Sequence, residues 1–381
     1  MQNVCMDNYS TTFNSFPMIM DYHSEQNEKS RWLRCKIKDL IVEPLGVSSE
    51  LFANPDRFAE GISELAVKDT ADNLGLAITV DGDTYPMRST AYKTMLDRAR
   101  IGGSSLPKLE RPLLARVVND CLKLSTTDAL VLIRDEKVSA IHSGDEADYS
   151  VLPIKELLNA LQVKLNERFP GNQFDSGYSD HSITSASWSL PKQRDELLDA
   201  YSRLLESNGK RGMLRRMTPG VRFTTSDIGV SSAKVSALLM GNGYSIHIGD
   251  CINIDHRNKK TVADFDKALG QLFAQYEDGI RRLEELENTV LSYPVNTMTR
   301  ICKKLSMPKK QALEAIARFE ITYGGGSATA HDVFFALQEI PYQMRCDRVP
   351  ESRLIAFEEN MARALKLNWR EYDLATKAVD Y

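Results

Sequence analysis

Three groups of cations stand out in a chain that is acidic overall, with 48 Lys and Arg against 52 Asp and Glu. Segment 29–38 carries Lys29, Arg31, Arg34, Lys36 and Lys38 without an acid, and Trp32 stands among them. Segment 203–222 carries Arg203, Lys210, Arg211, Arg215, Arg216 and Arg222 against Glu206 alone. Segment 300–310 carries Arg300, Lys303, Lys304, Lys309 and Lys310, again without an acid. Rows of cations suit a phosphate backbone, and exposed aromatics let bases stack, so the chemistry suggested is a single-stranded nucleic-acid groove. The bland alternative is a solvated charged surface. The middle segment is the strongest, because glycines flank its cations and let backbone approach phosphate.

Other constellations are weaker. Gly324, Gly325, Gly326 and Ser327 precede a helix, where free N–H groups can cradle an anion. No Gly-Lys-Ser/Thr follows, which excludes a P-loop, and a hinge with Ser327 as N-cap explains the same residues. His247, Cys251, Asp255 and His256 are close in sequence, but successive residues of a strand point apart, so no metal is expected there. Asp180-His181-Ser182 cannot form a triad on extended chain for the same reason. No catalytic residue and no cofactor are expected.

The rest of the composition bounds the class. At 381 residues, 42% hydrophobic and 26% charged, the chain is globular and long enough for one large or two modest domains. A net charge of −4 excludes a whole-surface polycation. The cysteines at 5, 35, 121, 251, 302 and 346 form no CxxC pair, and their density argues against a disulfide-stapled domain. The opening MQNVCMDNYS lacks a signal-peptide pattern, and no stretch approaches a membrane span. A reducing cytoplasm is the expectation.

The elements that must position these residues follow from periodicity. Residues 1–28 read as an irregular arm. Residues 33–38 alternate strictly and put Arg34, Lys36 and Lys38 on one face of a strand. Asn54 caps a helix that begins at Pro55 and runs to about Val67. Asp81-Gly82 and Asp135-Glu136 turn two hairpins. Helices read over 89–100, with Ser89 as cap, from Pro112, over 153–168 with Ile154, Leu157, Leu158, Leu161 and Leu165 inward, and over 192–207. Residues 220–256 read as strands, the last two forming a hairpin that pairs Ile248 with Ile252. An amphipathic helix of about 30 residues spans 261–293, with Gly279 permitting close approach in an oligomer seam as an alternative to core packing. Helices follow over 296–305, 308–319, 327–340 and 351–367. The expectation is an α+β fold with three parts: an arm (1–28), a body of antiparallel hairpins or meander with flanking helices (29–260) and a helical C-terminal region (261–381).

Five segments, in order, resemble the phage/plasmid-like family catalogued as domain of unknown function 932. They are TYPMRSTAYKTMLDRARIGGSSLPKL (84–109), KVSAIHSGDEADYSVLPIKELLNAL (137–161), VRFTTSDIGVSSAKV (221–235), LLMGNGYSIHIGDCINIDHR (238–257) and SATAHDVFFALQEI (327–340). Ser143, Tyr149, Ser226, Gly229, Asn242, Gly243 and His256 match the family's pattern. Lys137 or Ser139 stands where Arg is common, Asp227 replaces Glu, and Met240 replaces Cys. The resemblance implies a protein of a phage, prophage or plasmid acting in a bacterial cytoplasm, and carries no catalytic residue with it. With the cation groups it makes a non-enzymatic, homo-oligomeric binder of single-stranded DNA, active in recombination or replication, the leading expectation. The rivals are a factor that binds a host protein, such as an inhibitor of a host defence complex, and an enzyme whose site has no sequence signature.

Overall fold

The computed structural model describes residues 3–145, 147–241, 244–324 and 326–377. Asn242, Gly243 and Gly325, named above, lie outside them. The fold is α+β, built from four antiparallel sheets. In chain order it opens with β1 (Ser10–Phe13), α1 (Phe16–Glu28), β2 (Arg31–Lys36), β3 (Ile41–Pro44), α2 (Glu50–Ala53) and α3 (Glu64–Asp72). There follow β4 (Leu76–Val80), β5 (Asp83–Pro86), α4 (Ser89–Ala99), α5 (Arg111–Leu122), β6 (Asp128–Arg134) and β7 (Lys137–Ser143). Next come α6 (Ile154–Arg168), β8 (Gln173–Asp180), β9 (Thr184–Ser189), α7 (Arg194–Ser207), β10 (Thr218–Thr225), β11 (Ala233–Gly241) and β12 (Tyr244–Ile254). The remainder is α8 (Val262–Leu269), α9 (Leu272–Glu287), β13 (Val290–Leu291), α10 (Pro294–Lys304), α11 (Lys309–Tyr323), β14 (Ala328–Thr329), α12 (Ala330–Leu337), α13 (Glu339–Cys346) and α14 (Glu351–Met361).

Two hydrophobic cores organise these elements. The smaller lies under the three-stranded sheets β2-β6-β7 and β3-β4-β5 with α4 and α5, and holds Ile78, Met95, Val118 and Val131. The larger lies on one face of the six-stranded sheet β1-β8-β9-β10-β11-β12, where Trp188, Phe223, Val235 and Ile248 meet the apolar stripes of α6 to α9. The helices after Thr261 share this second core. The stripe read on 153–168 is buried at all five positions. Both hairpin turns are where the sequence places them: Asp81 and Gly82 have φ of 53° and 91°, and Asp135 and Glu136 have φ of 49° and 67°, as a two-residue type I′ turn requires.

Several expectations are corrected. The arm is not irregular: β1 pairs with β8, and α1 buries Ile19, His23 and Gln26. The helix expected from Pro55 is a single tight turn (Pro55–Arg57), and α3 starts later, capped by Ser63 accepting from the Ala66 N–H. Arg88, not Ser89, is the cap of α4. The third cation of the 33–38 face is lost to it, because β2 ends at Lys36 and Lys38 sits in the turn that follows. The helix over 327–340 divides into α12 and α13 at Gln338.

The expected hairpin at 246–254 is one continuous strand. Ile248 pairs with Ala237 and Cys251 with Ser236, so Gly249 and Asp250 form a two-residue bulge. An insertion of two keeps Ile246, Ile248, Ile252 and Ile254 on the core face, which burial demands, and ejects Asp250. The long helix is likewise two, α8 and α9, interrupted at Gly270-Gln271. Gly279 is buried within the chain rather than in a seam between copies: a Cβ built on it would stand 2.9 Å from the Ile248 carbonyl carbon and 3.1 Å from the Gly249 nitrogen. Helix propensity alone would favour Gly279→Ala by about 1 kcal/mol. Overpacking against backbone should reverse that sign and lower stability by about 1–3 kcal/mol in urea titrations. A neutral or stabilised variant would contradict this packing.

Candidate nucleic-acid interface and inter-core cleft

The cations of the first two sequence groups divide sharply by environment. Lys36 forms an exposed ion pair with Asp128, and the Arg34 guanidinium donates to the Gly144 carbonyl at 2.7 Å. Trp32 does not offer a free face: its ring lies 6.2 Å from His142 and 6.1 Å from Tyr149. Arg222 is a buried residue, not a surface cation. It points away from the core of the large sheet, but α14 covers that side and Glu358 meets it at 2.5 Å. Lys210 is also committed, with Nζ 2.5 Å from Glu287 Oε2, 2.8 Å from Asp332 Oδ1 and 2.9 Å from Thr329 Oγ1. Arg203 pairs with Asp199 along α7.

Arg31 and Lys38 are exposed without an ion pair among the described residues, but they stand at opposite ends of β2; the free cations that stay together are on the loop after α7. Gly209 and Gly212 have φ of 77° and 86°, conformations that a side chain would strain. Lys210 anchors the loop at one end. Buried Leu214 and Met217 anchor the other, where Arg194 donates to both of their carbonyls at 2.9 and 3.0 Å. Between these anchors Arg211, Arg215 and Arg216 are exposed, and none makes an ion pair among the described residues. Arg211 and Arg215 face an open depression of about 620 Å³ that Arg194 and Lys210 also line.

The structure brings the glycine segment beside this loop through Lys210, which reaches Thr329 and Asp332. It does not make that segment an anion cradle. Gly324 is the left-handed cap of α11, the Gly326 N–H donates to Tyr323, and α12 is capped by Thr329 with Asp332, not by Ser327. The segment contributes an aromatic instead. Tyr323 is 37% exposed and stacked on Phe319 at 4.4 Å. Burial, followed by the Asp332 carboxylate, pushes its hydroxyl up to about 12.

The third cation group is spread over α10 and α11. Lys310 pairs with Asp347 at 3.0 Å. The Arg300 guanidinium donates to the carbonyls of Leu374 and Thr376. Lys303 is half-buried, whereas Lys304 and Lys309 are exposed.

A second concavity, of about 510 Å³, opens where the two cores meet. Its wall is a stack of rings. His142 and Tyr149 are parallel with centroids 3.7 Å apart, and Tyr149 and His256 lie 5.6 Å apart at 11°. Asp227 ties the seam: its carbonyl accepts from Tyr149 Oη at 2.6 Å and lies 2.9 Å from His142 Nε2, and its carboxylate meets Arg134 at 2.6 Å. Ser143, Tyr149, Ser226, Asp227, Gly229 and His256, far apart in the chain, all lie at this seam or the cleft it walls. Burial lowers the His142 imidazole to about 4, and lowers His256 as well. Both rings are therefore neutral at neutral pH. His142 contacts a backbone carbonyl, and His256 contacts the Ser150 carbonyl and the Thr225 hydroxyl. Among the described residues neither ring forms an ion pair with a carboxylate, and the stack bridges the two cores.

The other sequence constellations do not assemble. Asp180 Oδ1 accepts from the N–H groups of Ser182 and Ile183, closing the β8–β9 turn, while His181 reaches the Met6 carbonyl. His247 lies beside Arg222 and His256 in the ring stack, so they share no site. Glu287 and His331 carry no signal in the linear sequence, because they face Lys210 only in the folded chain. Among the described residues, no helix is long and apolar enough to cross a membrane. The chain matches no family model, no curated protein and no solved structure.

Proposed function

We propose that the protein is a non-enzymatic accessory factor of a phage, prophage or plasmid that binds single-stranded DNA as a homo-oligomer during recombination or replication. The contact surface is the loop from Asn208 to Met217, with Tyr323 beside it as a stacking ring. The observation that carries this reading is the state of Arg211, Arg215 and Arg216: exposed, unpaired by carboxylates, and held on a loop pinned at both ends. Exposed arginines without an ion pair also occur singly elsewhere among the described residues, as at Arg100, Arg116 and Arg168; these three differ in standing together on one pinned loop. An exposed cation without a partner needs no internal pair broken before it meets a phosphate, and pinning reduces the entropy lost on binding.

The test is a fluorescence titration with a labelled oligothymidylate across a salt series, with the mass in solution measured alongside. Arg211→Ala, Arg215→Ala and Arg216→Ala combined should leave the fold intact and weaken binding. The slope of log K against log salt should fall by roughly 0.7 per lost contact, about two units in all. Tyr323→Ala should weaken binding without changing that slope. If the wild type has no measurable affinity at low salt, or the triple variant binds as tightly, the reading is wrong. A host protein copurifying in stoichiometric amount without nucleic acid would favour the rival binding role.

A further inference from the structure

We propose that Glu287, His331 and Asp332 form a site for a divalent transition metal of the zinc class, closed in this state by the ammonium group of Lys210. The three side chains come from the end of α9 and the first turn of α12, and their donor atoms lie within 4.8 Å of one another. Glu287 is 2% exposed and His331 is 0% exposed. His331 Nδ1 is buried without a hydrogen-bond partner and lies 3.4 Å from Glu287 Oε2. Zinc–ligand bonds of about 2.0–2.2 Å at tetrahedral angles place neighbouring donors roughly 3.3–3.6 Å apart. The imidazole and the carboxylate already hold that spacing.

The surroundings leave one donor atom of each residue turned inward. Glu287 Oε1 accepts from Asn208 at 2.9 Å, which leaves Oε2, reached by the Thr329 hydroxyl at 3.3 Å. Asp332 Oδ2 accepts from the Thr329 N–H and hydroxyl at 3.0 and 2.9 Å, which leaves Oδ1. His331 Nε2 meets Tyr201 Oη at 2.5 Å, which leaves Nδ1. Each donor thus has the outer hydrogen bond that orients metal ligands. Glu287 Oε2 and Asp332 Oδ1 are the two carboxylate oxygens that Lys210 touches, so a cation already sits on them. One imidazole, two carboxylates and no thiolate suit zinc or cobalt better than copper(I). An incoming ion takes both oxygens from Lys210, expels the ammonium and frees the loop beyond Asn208, which stays on Glu287 Oε1. That release follows whether or not the loop binds DNA.

The experiment uses the full chain freed of metal by chelation. Zn²⁺ is titrated by calorimetry, and Co²⁺ by absorption. One ion per chain should bind, and the Co²⁺ spectrum should lack a thiolate charge-transfer band. Lys210→Met should bind at least tenfold more tightly, because no ammonium must leave, and its Tm should rise by several degrees on adding Zn²⁺. His331→Gln should lose binding at least tenfold. Zn²⁺ should also speed tryptic cleavage between Lys210 and Arg216 several-fold in the wild type. Three results would overturn the site: no stoichiometric binding by Lys210→Met, binding that survives His331→Gln, or a thiolate band from exposed Cys251 or Cys346. Circular dichroism of each variant separates lost binding from lost folding.

Discussion

Stability should collapse between pH 6.5 and about 5, above the range in which unperturbed carboxylates titrate. The chain has six histidines, and burial depresses every one. His23 and His142 fall to about 4 and His181 to about 3. His256 is lowered, His247 lies well below the ordinary imidazole value, and His331 is lowered despite the Glu287 carboxylate beside it. In the folded state these rings stay neutral as pH drops. In the unfolded chain they protonate near 6.5. The unfolded state therefore binds more protons in this window, and stability falls as pH falls. For His23 and His142 the loss amounts to roughly 3 kcal/mol each once the pH reaches the folded value. A typical domain has only about 5–15 kcal/mol to lose. Asp135 and Glu284, raised by burial, act with the opposite sign but are two groups against six. Urea midpoints at pH 7.5, 6.5, 5.5 and 5.0 should drop steeply through the series, with proton uptake on unfolding of several per chain. A midpoint unchanged from pH 7.5 to 5.0 would show that the imidazoles are not held neutral.

How far the sequence foretells this molecule depends on how local each signal is. The α6 stripe and the turns at Asp81-Gly82 and Asp135-Glu136 are set within a few residues, and they were legible. β1 was not, because four residues gain strand character only by pairing with β8 across more than 160 residues. The bulge at Gly249 has a cause distant in the chain. α9 crosses the sheet so closely that Gly249 and Gly279 meet, and neither element's periodicity contains the other. The same logic governs the cations. Arg222 lies between Val221 and Phe223, so alternation correctly sends it to the face away from the core. What alternation cannot say is that this face is covered by a helix more than 130 residues further on. Lys210 looked like its neighbour Arg211, and only the approach of α9 and α12 separates their roles.

The covered face of the large sheet yields the second large effect. Ser187, Arg222, Ser245 and His247 are buried there, on β9, β10 and β12, with β11 between the last two. Arg222 reaches all three of the others, at 3.3 Å to Ser187, 2.6 Å to Ser245 and 3.3 Å to His247. Glu358 of α14, 2% exposed, supplies the counter-charge, with Oε2 on Arg222 and Oε1 2.8 Å from Arg345. One turn is reinforced by Lys234 and Glu359 at 2.8 Å. The helix is thus fastened to a polar face by charge, where an apolar contact would be usual. Glu358→Gln keeps the shape but leaves Arg222 buried beside a neutral amide. That should cost about 3–5 kcal/mol, the penalty for stranding a buried charge. Amide exchange over 351–361 should quicken before global unfolding, since α14 loses its tether first. Adding Arg222→Met should restore most of the loss, because the penalty belongs to the unpaired charge and not to the missing bond. If Glu358→Gln alone is neutral, or the double variant is as unstable as the single, α14 is held by its apolar side, through Leu354 and Met361, and not by the buried pair.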